Sequence, residues 1–183
     1  MGEKINILQL PFEGTAPQRD PLGLEPISDD TRQRFLRFRL SGENGTFLPI
    51  QDIVEVRPLK TTDILPIPEI SSSILGVCNW RSEILWLIDL NILVGNLPLW
   101  EQSPVLEEPI AIVVQSPQQS VGLVVEKVDD VELLDPESIH QPTDLSPAEI
   151  APFVVGYLPE HKGTVLDALT IVEYFLQESL YAA

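Results

Sequence analysis

Seventeen prolines among 183 residues, about twice the usual share, are the strongest limit on what this chain can fold into. Each one locks φ and removes a backbone donor, so short strands and turns are favoured over long helices. The apolar pattern agrees. Leu36, Phe38 and Leu40 alternate on one face of a first strand, leaving Arg37 and Arg39 on the wet side. Ser41-Gly42-Glu43-Asn44-Gly45 follows as a hairpin turn, because Asn-Gly readily supplies positive φ. Thr46 to Ile50 returns, and Ile53-Val54-Glu55-Val56 continues the meander. Ile64 to Pro68 cannot pair as a central strand and is expected to be a connector.

The segment ILGVCNWRSEILWLIDL, Ile74 to Leu90, stands apart. An apolar lead-in ends at Gly76-Val77, a polar island Asn79-Trp80-Arg81-Ser82 forms a turn, and a strand runs from Ile84 to Ile88. Such a turn displays one cation and one amide at the edge of a packed domain, which points to recognition rather than chemistry. Trp80 is either a lid on the core or an interface anchor, since Trp is both a large core residue and enriched at hot spots. Trp86 is expected in the core, and Trp100 is expected to cap a loop between halves spanning Gly95 to Pro109.

Beyond that loop, Ile110 to Val114, Val121 to Val128 and Val131 to Leu134 are expected strands, separated by turns at Gln115 to Ser120 and at Asp129-Asp130. A polar excursion, Asp135 to Pro152, precedes the pair Phe153 to Leu158 and Thr164 to Leu166. Leu169, Val172, Phe175, Leu176 and Leu180 then recur at three- and four-residue spacing, predicting one amphipathic helix from about Ala168 to Leu180. Many short strands with a single closing helix imply a mainly β protein of small barrels. Residues 1–31 are punctuated by Pro and Gly and are expected to be an extended or disordered leader. The patch Ile5-Ile7-Leu8-Leu10-Phe12 is the part of it able to lie along a groove or a partner.

Charge narrows the function further. The net charge is −17. Residues 1–81 carry nine of the eleven Lys/Arg and come to −2, while residues 82–183 hold only Lys127 and Lys162 and come to −15. Nucleic-acid affinity rests on cations that neutralise phosphate, so no nucleic-acid partner is expected, nor docking on anionic lipid. No apolar run approaches the ~20 residues that span a bilayer, and MGEKINILQL lacks the pattern of a secretion signal. With one cysteine, Cys78, a disulfide framework is excluded, and a cytoplasmic, reducing setting is expected with Cys78 as a core filler.

Catalytic groups are sparse. His140 and His161 lie in polar turns with no further ligand at metal spacing, so no metal and no cofactor are expected. No phosphate-binding glycine loop and no nucleophile elbow occur. The pairs Glu107-Glu108 and Asp129-Asp130 lack the alternating oxygens of a calcium loop. The expectation is a protein that is not an enzyme.

The order of these features resembles the CheW family of chemotaxis coupling proteins. Phe35-Leu36-Arg37-Phe38-Arg39-Leu40 matches the family's opening FLVFxL, and Ile53-Val54-Glu55-Val56 its V-x-E-I strand. Gly76 to Leu90 matches GVxNLRGxIxPIxDL, with Ser82 in place of the usual Gly and Trp80 and Trp86 adding bulk. Gly122 to Val131 resembles GxxVDxVxxV, with Glu126 for the usual Asp, and Gly156 followed by Val165-Leu166-Asp167-Ala168-Leu169 resembles the closing pattern. The resemblance implies two SH3-like five-stranded β-barrels around a shared core within residues 32–180, with a break near 95–109. It implies a non-catalytic adaptor that joins the regulatory domain of a CheA-like histidine kinase to the cytoplasmic tip of a methyl-accepting receptor. It places Ile53, Glu55, Gly76 and Arg81 at partner contacts and has Asn79 brace the turn, and Asn79 and Trp80 join these as candidate partner-binding residues. Arg81 then either reaches a partner's acidic helix or braces Asp89 or Glu83 within the lobe. The proline-bearing leader and the acidity look like paralogues serving type IV pilus twitching or phototaxis. The alternative is an SH3-like regulatory or peptide-binding module outside chemosensing.

Overall fold

The structure is a computed structural model, which describes residues 31–40, 44–101, 108–142 and 150–181, the last four by backbone alone. The expected leader and the core of the Ser41–Gly45 turn lie outside these residues. Ten strands and two helices follow in order: β1 (Gln33–Arg39), β2 (Gly45–Pro49), β3 (Ile53–Pro58), β4 (Ile74–Trp80), β5 (Glu83–Asp89), α1 (Leu90–Leu93), β6 (Ile110–Gln115), β7 (Ser120–Val125), β8 (Lys127–Leu134), β9 (Val154–Leu158), β10 (Gly163–Leu166) and α2 (Ala168–Tyr181). They build two five-stranded sheets, ordered β3-β6-β7-β5-β4 and β8-β1-β2-β10-β9.

The two sheets are one design used twice. Adding five to each strand number of the first sheet, and wrapping past ten, gives the second sheet in the same order. The pairings repeat as well: β3–β6, β6–β7 and β5–β4 are antiparallel with β5–β7 parallel, and their counterparts β8–β1, β1–β2, β10–β9 and β10–β2 follow suit. In each half an isolated bridge, Leu65 to Val77 or His140 to Tyr157, lies beside the outer strand of the closing hairpin. In each half an Asp at or just past the end of the last strand takes backbone N–H groups of the next turn, Asp89 from Asn91 and Asp167 from Leu169 and Thr170. The first half of the chain is β1–β5 and the second is β6–β10, yet each sheet combines three strands of one half with the hairpin of the other. The expected break near 95–109 therefore separates the two repeats along the chain, while in space the repeats exchange their first hairpins.

Burial follows the strand period. On β6, Ala111 and Val113 point into the first sheet's own core, with Cys78, Trp80, Leu85, Leu87 and Val124. The alternate Ile112 and Val114 point the other way, into a core shared with Leu36, Phe38, Leu48, Leu123 and the α2 residues Ile171, Val172 and Phe175. The unbroken apolar run of β6 exists because both faces are covered. Phe35, Phe47, Leu134, Leu158 and Val165, one from each strand of the second sheet, meet in a single cluster, so that sheet curls around its own interior. Two barrels packed on a shared core, with a C-terminal helix over it, is the architecture that the family resemblance implies.

Two details differ from expectation. Asp129-Asp130 is not a turn but lies inside β8, where Arg39 donates to Asp129 at 2.8 Å and Arg37 donates to Glu132 at 2.8 Å. Cross-strand cations make an acidic pair compatible with a strand. The chain instead breaks at Glu126, where it passes from one sheet to the other. Trp86 is half-buried on the outer face of β5 rather than in the core.

Gly76, just past a bulge in β4, has φ of +138°. A Cβ there would overlap the Leu65 carbonyl that bridges to Val77. Glycine is thus required twice, by conformation and by the close backbone approach. We predict that Gly76→Ala lowers unfolding free energy by about 3 kcal/mol. A urea titration checks this, and an unchanged midpoint contradicts it.

Candidate functional site

The β4–β5 hairpin carries the sequence-predicted site. Trp80 pairs with Glu83 and Asn79 with Ile84, which leaves only Arg81 and Ser82 as the turn. Their φ values are 51° and 67°. Positive φ at both central residues belongs to the type I′ turn, whose twist matches that of the flanking strands. The turn is two residues shorter than the expected Asn79–Ser82 island, and Ser82 adopts the positive φ for which the family pattern uses Gly. Each non-glycine residue held there costs about 1 kcal/mol.

Side chains offset that cost. Glu55 on β3 is 6% exposed, and its Oε2 accepts from the Trp80 indole Nε1 and from the Arg81 Nη2, both at 3.0 Å. The Arg81 guanidinium lies over the Trp80 ring, with Cζ 4.6 Å from its centroid. β3 and β4 are the outer strands of their sheet, so this one carboxylate ties its two edges together. Arg81 keeps 53% of its side chain exposed. The carboxylate is anchored, and the cation is presented. The second Glu55 oxygen, Oε1, is buried and has no hydrogen-bond partner among the described residues.

The six predicted residues thus divide. Glu55, Trp80 and Arg81 form one bonded cluster. Trp80 is 5% exposed and belongs to the barrel core while its ring floors Arg81, so it is a lid rather than a free anchor. Arg81 does brace the lobe, but through Glu55, not through Asp89 or Glu83. Asn79 is exposed within β4 instead of sitting in the turn. Ile53 is 8% exposed, with its side chain in the shared core, and Gly76 is buried beneath Leu65. These two set the positions of β3 and β4 rather than facing solvent. Ile84, next to the turn and 70% exposed, was not singled out from the sequence, because apolar alternation alone assigns it to the interior.

Asp89 supports the hairpin from below. It is fully buried, and accepts from the backbone N–H of Leu99 at 2.7 Å and of Asn91 at 2.9 Å. Burial pushes its carboxyl above the ordinary 3.8, and the bonds from Leu99 and Asn91 offset part of that. The sequence motif ending in Asp-Leu held this residue, but its bond to Leu99 crosses a loop and has no signature. Trp100, beside it, is 42% exposed at the mouth of an apolar cavity of about 460 Å³. Among the described residues, no three His, Cys, Asp or Glu side chains converge as metal ligands, and no helix is long and apolar enough to cross a membrane.

Two barrels that exchange hairpins thus hold out the braced Arg81 cation at the tip of the β4–β5 hairpin. The CheW-like domain model matches residues 34–174. The crystal structure of the scaffolding protein TtCheW from Thermoanaerobacter tengcongensis is similar, with a TM-score of 0.63 and 25% identity over 79% of this chain and 90% of that one. No match is found among curated proteins. The chain belongs to the CheW-like domain family.

We predict that Ser82→Gly raises unfolding free energy by about 1 kcal/mol, since it removes strain without touching a contact. Equal urea midpoints for the two proteins contradict this. Asp89 yields a pH dependence of defined sign. The native state holds its proton more tightly than the unfolded chain, so its contribution is whole below 3.8 and is lost as pH rises through the higher native value. The stability difference between wild type and Asp89→Asn therefore moves against wild type as pH rises across that window. A pH-independent difference in denaturant melts speaks against it.

Proposed function

We propose that this protein is a non-catalytic adaptor that couples a methyl-accepting receptor's cytoplasmic tip to the regulatory domain of a CheA-like histidine kinase, in chemotaxis, twitching motility or phototaxis. Membership of the CheW-like family supports the adaptor class. The observation that carries the reading is the half-exposed Arg81 guanidinium, held by buried Glu55 over the Trp80 ring. A guanidinium fixed in place loses little freedom on meeting a carboxylate, so its hydrogen bonds go to affinity rather than to ordering. Asn79 and Ile84, cross-strand neighbours beside the turn, add an amide and an apolar contact to the same tip.

Ile53 and Gly76 serve this site through position. One anchors β3 in the shared core and the other lets the connector close over β4. Glu55 serves both purposes, because it fixes the cation and joins the sheet's edges.

The reading makes a graded prediction. In a pull-down with the cognate kinase's regulatory domain, Arg81→Ala loses binding while its unfolding free energy drops by only about 1 kcal/mol, as befits a half-exposed pair. Glu55→Ala loses binding too, together with a larger share of stability, because Trp80 Nε1 and Arg81 both lose their acceptor. Failure of the folded wild type to bind any such kinase domain, or full binding by Arg81→Ala, rejects the proposal.

A further inference from the structure

The exchanged hairpins have a consequence for assembly. The β1–β2 hairpin finds its outer backbone partners only in the second half of the chain. β1 pairs with β8 from Gln33–Leu134 through Arg39–Lys127, and β2 pairs with β10. Its side chains fill two cores: Phe35 and Phe47 enter the second barrel, and Leu36, Phe38, Leu40 and Leu48 enter the shared core. Within the described chain it joins the remainder through one connection, the single 3-10 turn Ile50–Asp52, which has no side-chain cap. An isolated two-stranded hairpin is marginal in water, so β1–β2 must be docked somewhere.

We propose that a second copy of this chain can supply that hairpin, giving an intertwined dimer in which each β8-β1-β2-β10-β9 sheet is built from two chains. The fold is already such an exchange between its own repeats, and the two sheets have identical order and pairing sense. In the dimer the strand register, the β1–β8 ion pairs of Arg37 and Arg39, and both cores reform unchanged. The states differ in the course of the Ile50–Asp52 turn, with the contact of Ile50 on the shared core, and in the entropy of association. The occupant is therefore chemically defined: it must carry this β1, with its arginines set against Asp129 and Glu132.

The test uses the full chain. Arg39 and Lys127 are exposed register partners. Variants Arg39→Cys and Lys127→Cys are unfolded, mixed, refolded together under reducing conditions at increasing concentration, and then oxidised. The expected result is a disulfide-linked dimer whose share rises with concentration and which is absent when the folded variants are mixed without unfolding. The double variant, Arg39→Cys with Lys127→Cys in one chain, checks that the pair can bond at all. If it closes its own disulfide and the co-refolded mixture yields no linked dimer, the proposal is overturned. If the pair cannot bond, light scattering of refolded wild type decides. A species of twice the chain mass that persists on dilution supports the exchange, and a monomer at every concentration rejects it.

Discussion

Neither half of this chain can complete a sheet by itself, and the rest of the structure depends on that constraint. β3, β4 and β5 lack two strands until β6 and β7 arrive, and β8, β9 and β10 lack two until β1 and β2 do. Each exchanged hairpin contributes residues both to the barrel it completes and to the shared core, and β6 and β7 are buried on both faces. This is why β6 and β7 have few polar interruptions and why the shared core draws on both halves. Loss of either hairpin opens a barrel and the shared core together, which makes one cooperative unit of two sequence repeats.

Closing such a barrel leaves two outer strands facing each other, and here side chains carry out what the backbone ladder does elsewhere. In the first barrel, Glu55 on β3 reaches the end of β4 through Trp80 and the turn through Arg81. The second barrel has an analogous tie. Glu132 on β8 lies 3.0 Å from His161 in the β9–β10 turn, and its other oxygen accepts from Arg37. Both ties set a carboxylate on the edge strand against a side-chain nitrogen of the closing turn. Their outcomes differ: in the first the donor is a half-exposed guanidinium lifted from the core by a tryptophan ring, whereas in the second Arg37 is held within the β1–β8 ladder. Presentation of Arg81 is thus a by-product of barrel closure.

Much of this was legible in the sequence, and the limits have physical causes. Strand positions followed from two-residue alternation and from Gly, Pro and Asn at the turns, because those signals are local. The collinear motifs pointed to Glu55, Trp80 and Arg81 together, and these three form one bonded cluster, whereas Gly76 lies buried beneath Leu65. What the sequence concealed was non-local. Asp129-Asp130 has the look of a turn until Arg37 and Arg39 are known to lie across from it. The partner of Arg81 was sought among its neighbours Glu83 and Asp89, yet it comes from a strand 26 residues earlier, across the mouth of a closed sheet. The repeat was hidden for the same reason. Its halves share pairing order, a glycine under a bridging carbonyl and a capping aspartate, but few side chains, since packing constrains apolarity and volume more than identity.

The uneven charge of the two halves also takes on a structural meaning. Read along the chain, a cation-bearing first half and a strongly acidic second half look like a solubility device. In space, the exchange lays β1, with Arg34, Arg37 and Arg39, against β8, with Asp129, Asp130 and Glu132. Part of the asymmetry meets at this seam between repeats: Arg37 lies in register with Asp130 and reaches Glu132, while Arg39, in register with Lys127, turns diagonally to Asp129. Neither β6, reading IAIVVQ, nor β7, reading SVGLVV, carries a cation, so of the two exchanged hairpins only β1–β2 sets opposite charge against β8.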